Sequence, residues 1–96
     1  MPRYRLLYSS AYIEDYRALD AFDRAKVRDA VLILADQAEV PTRNRRPLEA
    51  PVSWCPEATW KLRIEGYRLL YRVEDTTVFV LRVQFKGSDT IEEMGS

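Results

Sequence analysis

From Arg3 to Ser9, Tyr4, Leu6 and Tyr8 alternate with Arg3, Arg5 and Leu7, and this period of two predicts a short strand. Ser9 and Ser10 then offer N-caps, Glu14 and Asp15 fall where a helix dipole favours acids, and Tyr12, Tyr16 and Leu19 follow at helical spacing. Asp20, with Asp23 three residues on, opens a second and longer helix. Its Val27, Ala30, Val31, Leu34, Ala35 and Ala38 keep to the i, i+3, i+4, i+7 rule, so both helices read as covers for a core. The pattern breaks over 39–57, which holds four of the five prolines and the cluster Arg43, Arg45 and Arg46, and predicts a long loop.

Three more strands follow. Trp60, Leu62 and Ile64 alternate with Thr59, Lys61 and Arg63, and Tyr67, Leu69, Tyr71 and Val73 alternate with Arg68, Leu70 and Arg72. Glu65-Gly66 is a two-residue turn between them, which sets Ile64 opposite Tyr67 and Arg63 opposite Arg68. One face of the hairpin is then apolar, and the other carries Lys61, Arg63, Arg68 and Arg72. The strand from Val78 to Lys86 adds Phe79, Leu81, Val83 and Phe85 to the apolar set and Arg82 and Lys86 to the basic one, provided its register runs unbroken. The expected fold is α+β in the order β-α-α-β-β-β, with two helices on one face of a small, mainly antiparallel sheet. Residues 1–96 make one domain, ending in a short acidic tail at 87–96.

Composition narrows the chemistry. Hydrophobic residues make up 47% and charged residues 31%, the balance of a soluble globular chain, with no membrane-spanning run and no signal-peptide stretch; the expected location is the cytoplasm. There is no histidine, which removes Ser-His-Asp and Cys-His catalysis, and with one cysteine neither an internal disulfide nor a four-ligand Cys/His zinc site is possible. Cys55, between Trp54 and Pro56 in sequence register, reads as an inert, partly buried thiol. No metal or cofactor is expected.

Charge sums to zero, yet it is unevenly placed: 1–39 sums to −1, 40–86 to +4 and 87–96 to −3. Arg63 opposite Arg68 works mildly against folding, by some tenths of a kcal/mol. Arginines that converge in this way suit an anion, because the planar guanidinium grips phosphate oxygens in pairs. A phosphate-rich partner is therefore expected, with Arg43, Arg45, Arg46, Arg63, Arg72 and Arg82 as candidate phosphate ligands. The alternative is that these side chains splay into solvent or pair with Glu57, Glu65, Glu74 and the tail acids.

The element order, the stretch from Thr42 to Leu48 with its three arginines, and the run from Trp60 to Val73 around Gly66-Tyr67-Arg68, followed by a Val-rich strand, resemble the RelE/ParE superfamily of bacterial toxins from toxin–antitoxin modules. The resemblance implies one of three functions. RelE-like members are ribosome-dependent endoribonucleases that cut mRNA, ParE-like members poison gyrase, and a non-toxic relative would bind only an antitoxin or RNA.

On the first reading the matching catalytic positions are Lys61, Arg68 and Lys86, with mRNA on the ribosome as a partner. Arg68 and Arg63 would stabilise charge, Lys86 would serve the leaving group, and Lys61 would be the base if its cationic setting favours the neutral amine; Glu57 and Glu49 are weaker substitutes. Two positions depart from the RelE pattern: Thr59 stands where a first lysine is usual, and Glu92 stands near the usual C-terminal Tyr or His. A cognate antitoxin is implied too, with an amphipathic segment that covers the helices or the basic face.

Overall fold

A computed structural model describes residues 2–86. Strand β1 (Arg5–Tyr8) leads into helix α1 (Ser10–Arg17) and helix α2 (Ala21–Gln37), and strands β2 (Arg45–Pro47), β3 (Trp60–Ile64), β4 (Tyr67–Glu74) and β5 (Thr77–Phe85) complete one five-stranded sheet. Its order is β1-β5-β4-β3-β2; β1 runs parallel to β5 and every other pair is antiparallel. The expected acidic tail at 87–96, with Glu92, lies outside the described residues.

Both helices start on side-chain caps. Ser9 Oγ accepts from the Tyr12 amide at 3.0 Å, and an Asp20 carboxylate oxygen accepts from the Asp23 amide at 2.8 Å. Because α1 begins at Ser10, its first turn holds neither Glu14 nor Asp15, contrary to expectation; Asp15 is used elsewhere. The helices bury Tyr12, Val27, Val31, Leu34 and Ala38 against Leu62, Ile64, Leu69, Tyr71, Val78, Val80 and Val83 of the sheet. Tyr71 carries its one polar atom into this core with a partner, since its hydroxyl donates to the Ala38 carbonyl at 2.6 Å. Burial pushes the Tyr71 phenol well above its ordinary value.

The β3–β4 hairpin pairs as the alternation predicts, Ile64 with Tyr67 and Arg63 with Arg68. Glu65 takes the left-handed conformation the tight turn demands, with φ of 53°. A Cβ on Gly66 would stand 2.6 Å from the Phe85 ring, so a side chain there requires that exposed ring to shift.

Two expectations need correction. The stretch 39–57 is not loop throughout. After a tight turn in which the Thr42 amide donates to the Arg45 carbonyl at 2.8 Å, Arg45–Pro47 pairs with β3 as the sheet's edge strand. Pro47 fits there because an edge strand leaves one row of amides unpaired.

Phe79 and Leu81 are not on the apolar face. Leu70 pairs with Arg82 but Tyr71 pairs with Val80, so β5 carries one extra residue, a bulge at Leu81. The bulge exchanges the faces of everything before it: Val78 and Val80 enter the main core, while Phe79 and Leu81 turn to the other side. Ser9 Oγ donates to the Leu81 carbonyl at 2.7 Å, which satisfies the group the bulge takes out of the ladder.

Candidate functional site

The sheet face away from the helices is divided into three. At one end, the β2 turn, the β3–β4 hairpin and the end of β5 frame an open cleft of about 480 Å³. Cross-strand pairing puts its cations side by side: Arg46 lies opposite Lys61, Arg63 lies opposite Arg68, and the Lys86 amide donates to the Gly66 carbonyl at 2.7 Å. Arg43, at the tip of the β2 turn, closes the rim, and the Arg63 amide donates to the Asn44 carbonyl at 2.8 Å, fixing that turn beside the hairpin. Six of the nine candidate cations thus line one cavity: Arg43, Arg46, Lys61, Arg63, Arg68 and Lys86.

The acid–base groups at the cleft point away from it. Glu65 carboxylate meets Lys26 Nζ of α2 at 2.7 Å, and that contact raises the lysine's pKa. The Tyr67 hydroxyl donates to Asp23 Oδ2 at 2.7 Å, and this hydrogen bond to the carboxylate pushes the phenol up to about 12. The cleft therefore gathers cations beside an acid and a phenol that are both engaged by α2, a setting for anions. Among the described residues no three Cys, Asp or Glu side chains converge as a metal site requires.

The middle of the same face is closed. Leu70, predicted beside the basic row, is fully buried in a second small core with Cys55 and Ala58, edged by Leu48, Val52 and Leu81. Residues 48–58 thus fold over the sheet rather than hang from it. Burial raises the Cys55 thiol above its ordinary value, in keeping with an inert role. Thr59 joins this fold-over through its backbone, accepting from the Leu48 amide at 2.9 Å and donating to the Tyr71 carbonyl at 3.0 Å.

The three remaining candidates lie outside the cleft. Arg45 faces the main-core side, as its pairing with Leu62 requires, and is only 6% exposed; its Nε donates to the Val40 carbonyl at 2.9 Å and its Nη2 to Gln37 Oε1 at 3.1 Å. Arg72 lies over the Phe79 ring, 4.5 Å from its centroid, with Nε 3.5 Å from Glu74. Arg82 is held by Asp15 of α1 through two contacts, at 2.8 and 3.1 Å, and the carboxylate raises the guanidinium's pKa further. Nothing in the alternation of residues distinguishes Arg45 from Arg46 or Arg72 from Arg68; strand offset and neighbours do.

Residues 4–87 match the family described as ParE toxin of type II toxin–antitoxin system, parDE. The chain belongs to this toxin family. Solved structures agree on the fold of these toxins. The archaeal RelE of the RelE–RelB complex from Pyrococcus horikoshii OT3 superposes with a TM-score of 0.70 at 17% identity, over 88% of this chain and 97% of that one. The RelBE2 toxin–antitoxin complex of Mycobacterium tuberculosis gives 0.60 at 30% identity, over 88% and 99%. Isolated E. coli RelE gives 0.66 at 22%, over 96% and 95%. No curated protein sequence matches the chain. As a RelE/ParE toxin of a type II module, this chain carries the six-cation cleft on the sheet face that the two helices leave uncovered.

Proposed function

We propose that this toxin is a RelE-like endoribonuclease that cuts mRNA on the ribosome and so arrests translation in the cytoplasm. The observation that carries the reading is the gathering of Lys61, Arg68 and Lys86 at one cleft with Arg43, Arg46 and Arg63. Such a cavity suits the backbone of a polynucleotide.

In this reaction the RNA's 2′-hydroxyl attacks the adjacent phosphorus, losing its proton; the bond from phosphorus to the 5′-oxygen breaks, and that oxygen gains a proton. The products are a 2′,3′-cyclic phosphate and a 5′-hydroxyl. Lys61, on β3 beside Arg46, is assigned the 2′-hydroxyl proton. Arg63 and Arg68 stabilise the charge that grows on the phosphorus oxygens, and Lys86 supports the departing oxygen. Arg43 and Arg46 hold the flanking phosphates, and the ribosome positions the strand.

Purified toxin added to ribosomes paused on a defined message should leave a cut in the decoding-site codon, read by primer extension. Arg68→Ala should slow the cut by about 100-fold or more. A message left intact by the wild-type protein contradicts the reading.

A ParE-like inhibitor of gyrase or another protein is the second reading, favoured by the family match and by the diversion of Glu65 and Tyr67 away from the cleft. On that reading, the cations receive an acidic protein surface. Induction in a bacterial host separates the two: immediate translation arrest with cleaved messages supports the first, and filamentation with DNA damage supports the second.

A cognate antitoxin belongs to either reading, since several of the similar structures are toxin–antitoxin complexes. An apolar groove of about 360 Å³ between α1 and α2, lined by Tyr8, Tyr12, Ile13, Tyr16, Val31 and Leu32, suits the apolar side of an amphipathic segment. Arg17 and Arg28 on its rim suit acidic residues of that segment.

A further inference from the structure

We propose that Trp54 is a stacking platform for an unpaired RNA base lying beside the cleft, and that Arg82 and Asp15 are the positioning residues that hold its ring in place. The proposal rests on the RNA reading above and adds a base-binding subsite to it.

Trp54 is 38% exposed at the tip of a turn in which the Cys55 amide donates to the Val52 carbonyl at 3.0 Å. The turn has anchors other than this ring: Cys55 and Ala58 are buried with Leu70 in a small core that Val52 edges. An indole that is partly exposed on an anchored turn is preorganised for a flat partner.

Beneath it lies a built support. The Arg82 guanidinium stands 5.8 Å from the Trp54 ring centroid. Its Nε and Nη2 are both committed to Asp15, at 2.8 and 3.1 Å, so its charge is matched and it is poorly suited to take a phosphate. Asp15 in turn accepts from the Val83 amide at 3.1 Å and from Gln84 Nε2 at 3.4 Å, and its side chain is only 14% exposed. Arg82 is thereby fixed at the end of β1, where α1 meets β5, and offers the indole a rigid flat underside.

The position fits a strand of nucleic acid held in the cleft. Arg82 pairs with Leu70, and Leu70 pairs with Lys61, so Arg82 stands two strand spacings from Lys61, about 10 Å. Along β5 it precedes Lys86 by four residues, about 13 Å. Gln84, opposite Arg68, bridges the interval. A single strand whose phosphates lie on Arg68 and Lys86 can therefore bring a base further along the strand to Trp54, where an aromatic face serves any base without reading its edge.

The test uses full-length protein and a fluorescein-labelled RNA of mixed sequence, about eight nucleotides long, with 2′-O-methyl sugars to prevent cutting. Affinity is read by anisotropy across a salt series for wild type, Trp54→Phe, Trp54→Ala and Arg68→Ala. Trp54→Ala should bind about 5- to 100-fold more weakly with an unchanged salt slope, because no charge is lost, whereas Trp54→Phe should bind within about 3-fold of wild type. Arg68→Ala should lower the salt slope by about one. Thermal melts separate a loop-stapling role: a Trp54→Ala protein that melts earlier but binds the RNA as wild type does overturns the platform and leaves the RNA reading standing. Wild-type protein that does not bind the RNA at all overturns the platform, and cleavage of ribosome-bound message then decides the RNA reading by itself.

Discussion

The two faces of the sheet are made of the same alternating strands, yet they end up as different kinds of surface. On the helix side, neighbouring rows all point to one purpose. Tyr71, Leu69, Val80 and Val78 are fully buried in one continuous core, which ends only at the rim, where Phe85 is exposed and Arg45 donates to Val40 and Gln37. The opposite side takes the complementary positions of the same strands and splits into a cationic cleft, a small apolar core under 48–58, and a patch where Arg72 lies over Phe79. A period of two assigns a residue to a face. What that face becomes is decided by whatever folds over it.

Leu69 and Leu70, adjacent on β4, set the two faces against each other directly. Both are fully buried, on opposite sides. If the second face were an open basic row, Leu70→Lys would change stability by less than about 0.5 kcal/mol. Because Leu70 is the floor of a second core, the substitution is expected to cost about 4 kcal/mol, read as a shift in the urea midpoint.

Neighbouring arginines on β2 provide the next test. Arg45 is enclosed on the main-core side and donates to the Val40 carbonyl and Gln37, whereas Arg46 lies on the cleft. Arg45→Ala should cost about 2 kcal/mol by leaving the Val40 carbonyl without that donor. Arg46→Ala should stay within about 0.5 kcal/mol of wild type while weakening RNA binding.

The smallest effect concerns Tyr67, which carries the cleft's edge to α2 through Asp23. Its pKa in the folded chain, about 12, lies above the ordinary 10.0. The hydrogen bond therefore contributes in full below pH 10 and is lost as pH rises toward 12. The stability difference between wild type and Tyr67→Phe should be about 1 kcal/mol at pH 8 and shrink over that range, measured by urea unfolding at each pH.

Much of this architecture is legible in the chain itself, and the exceptions have physical causes. Local signals announce themselves: Ser9 and Asp20 as caps, the spacing from Val27 to Ala38, and Glu65-Gly66, which dictates the pairing of Arg63 with Arg68. Long-range pairings leave no such mark, so neither the parallel match of β1 with β5 nor the three-residue β2 shows in local periodicity. The bulge at Leu81 is equally silent, since a Val-rich strand reads as apolar in either register; only the burial of Val78 and Val80 reveals which way it turns. For the cleft, residue type and strand parity pick out Lys61, Arg63 and Arg68. They also pick out Arg72 and Arg82, whose separation depends on contacts with Phe79, Glu74 and Asp15 that alternation does not carry.

Arg68 and Arg72 lie four residues apart on one strand and on the same face, yet only Arg68 lines the cleft. Cleavage of ribosome-bound message should be measured for Arg68→Gln and Arg72→Gln under identical conditions, after confirming that both fold. Arg68→Gln should lose about 100-fold or more in rate, while Arg72→Gln should cut within about 3-fold of wild type. Equal losses in the two variants, or undiminished cleavage by Arg68→Gln, would contradict the role given to the cleft.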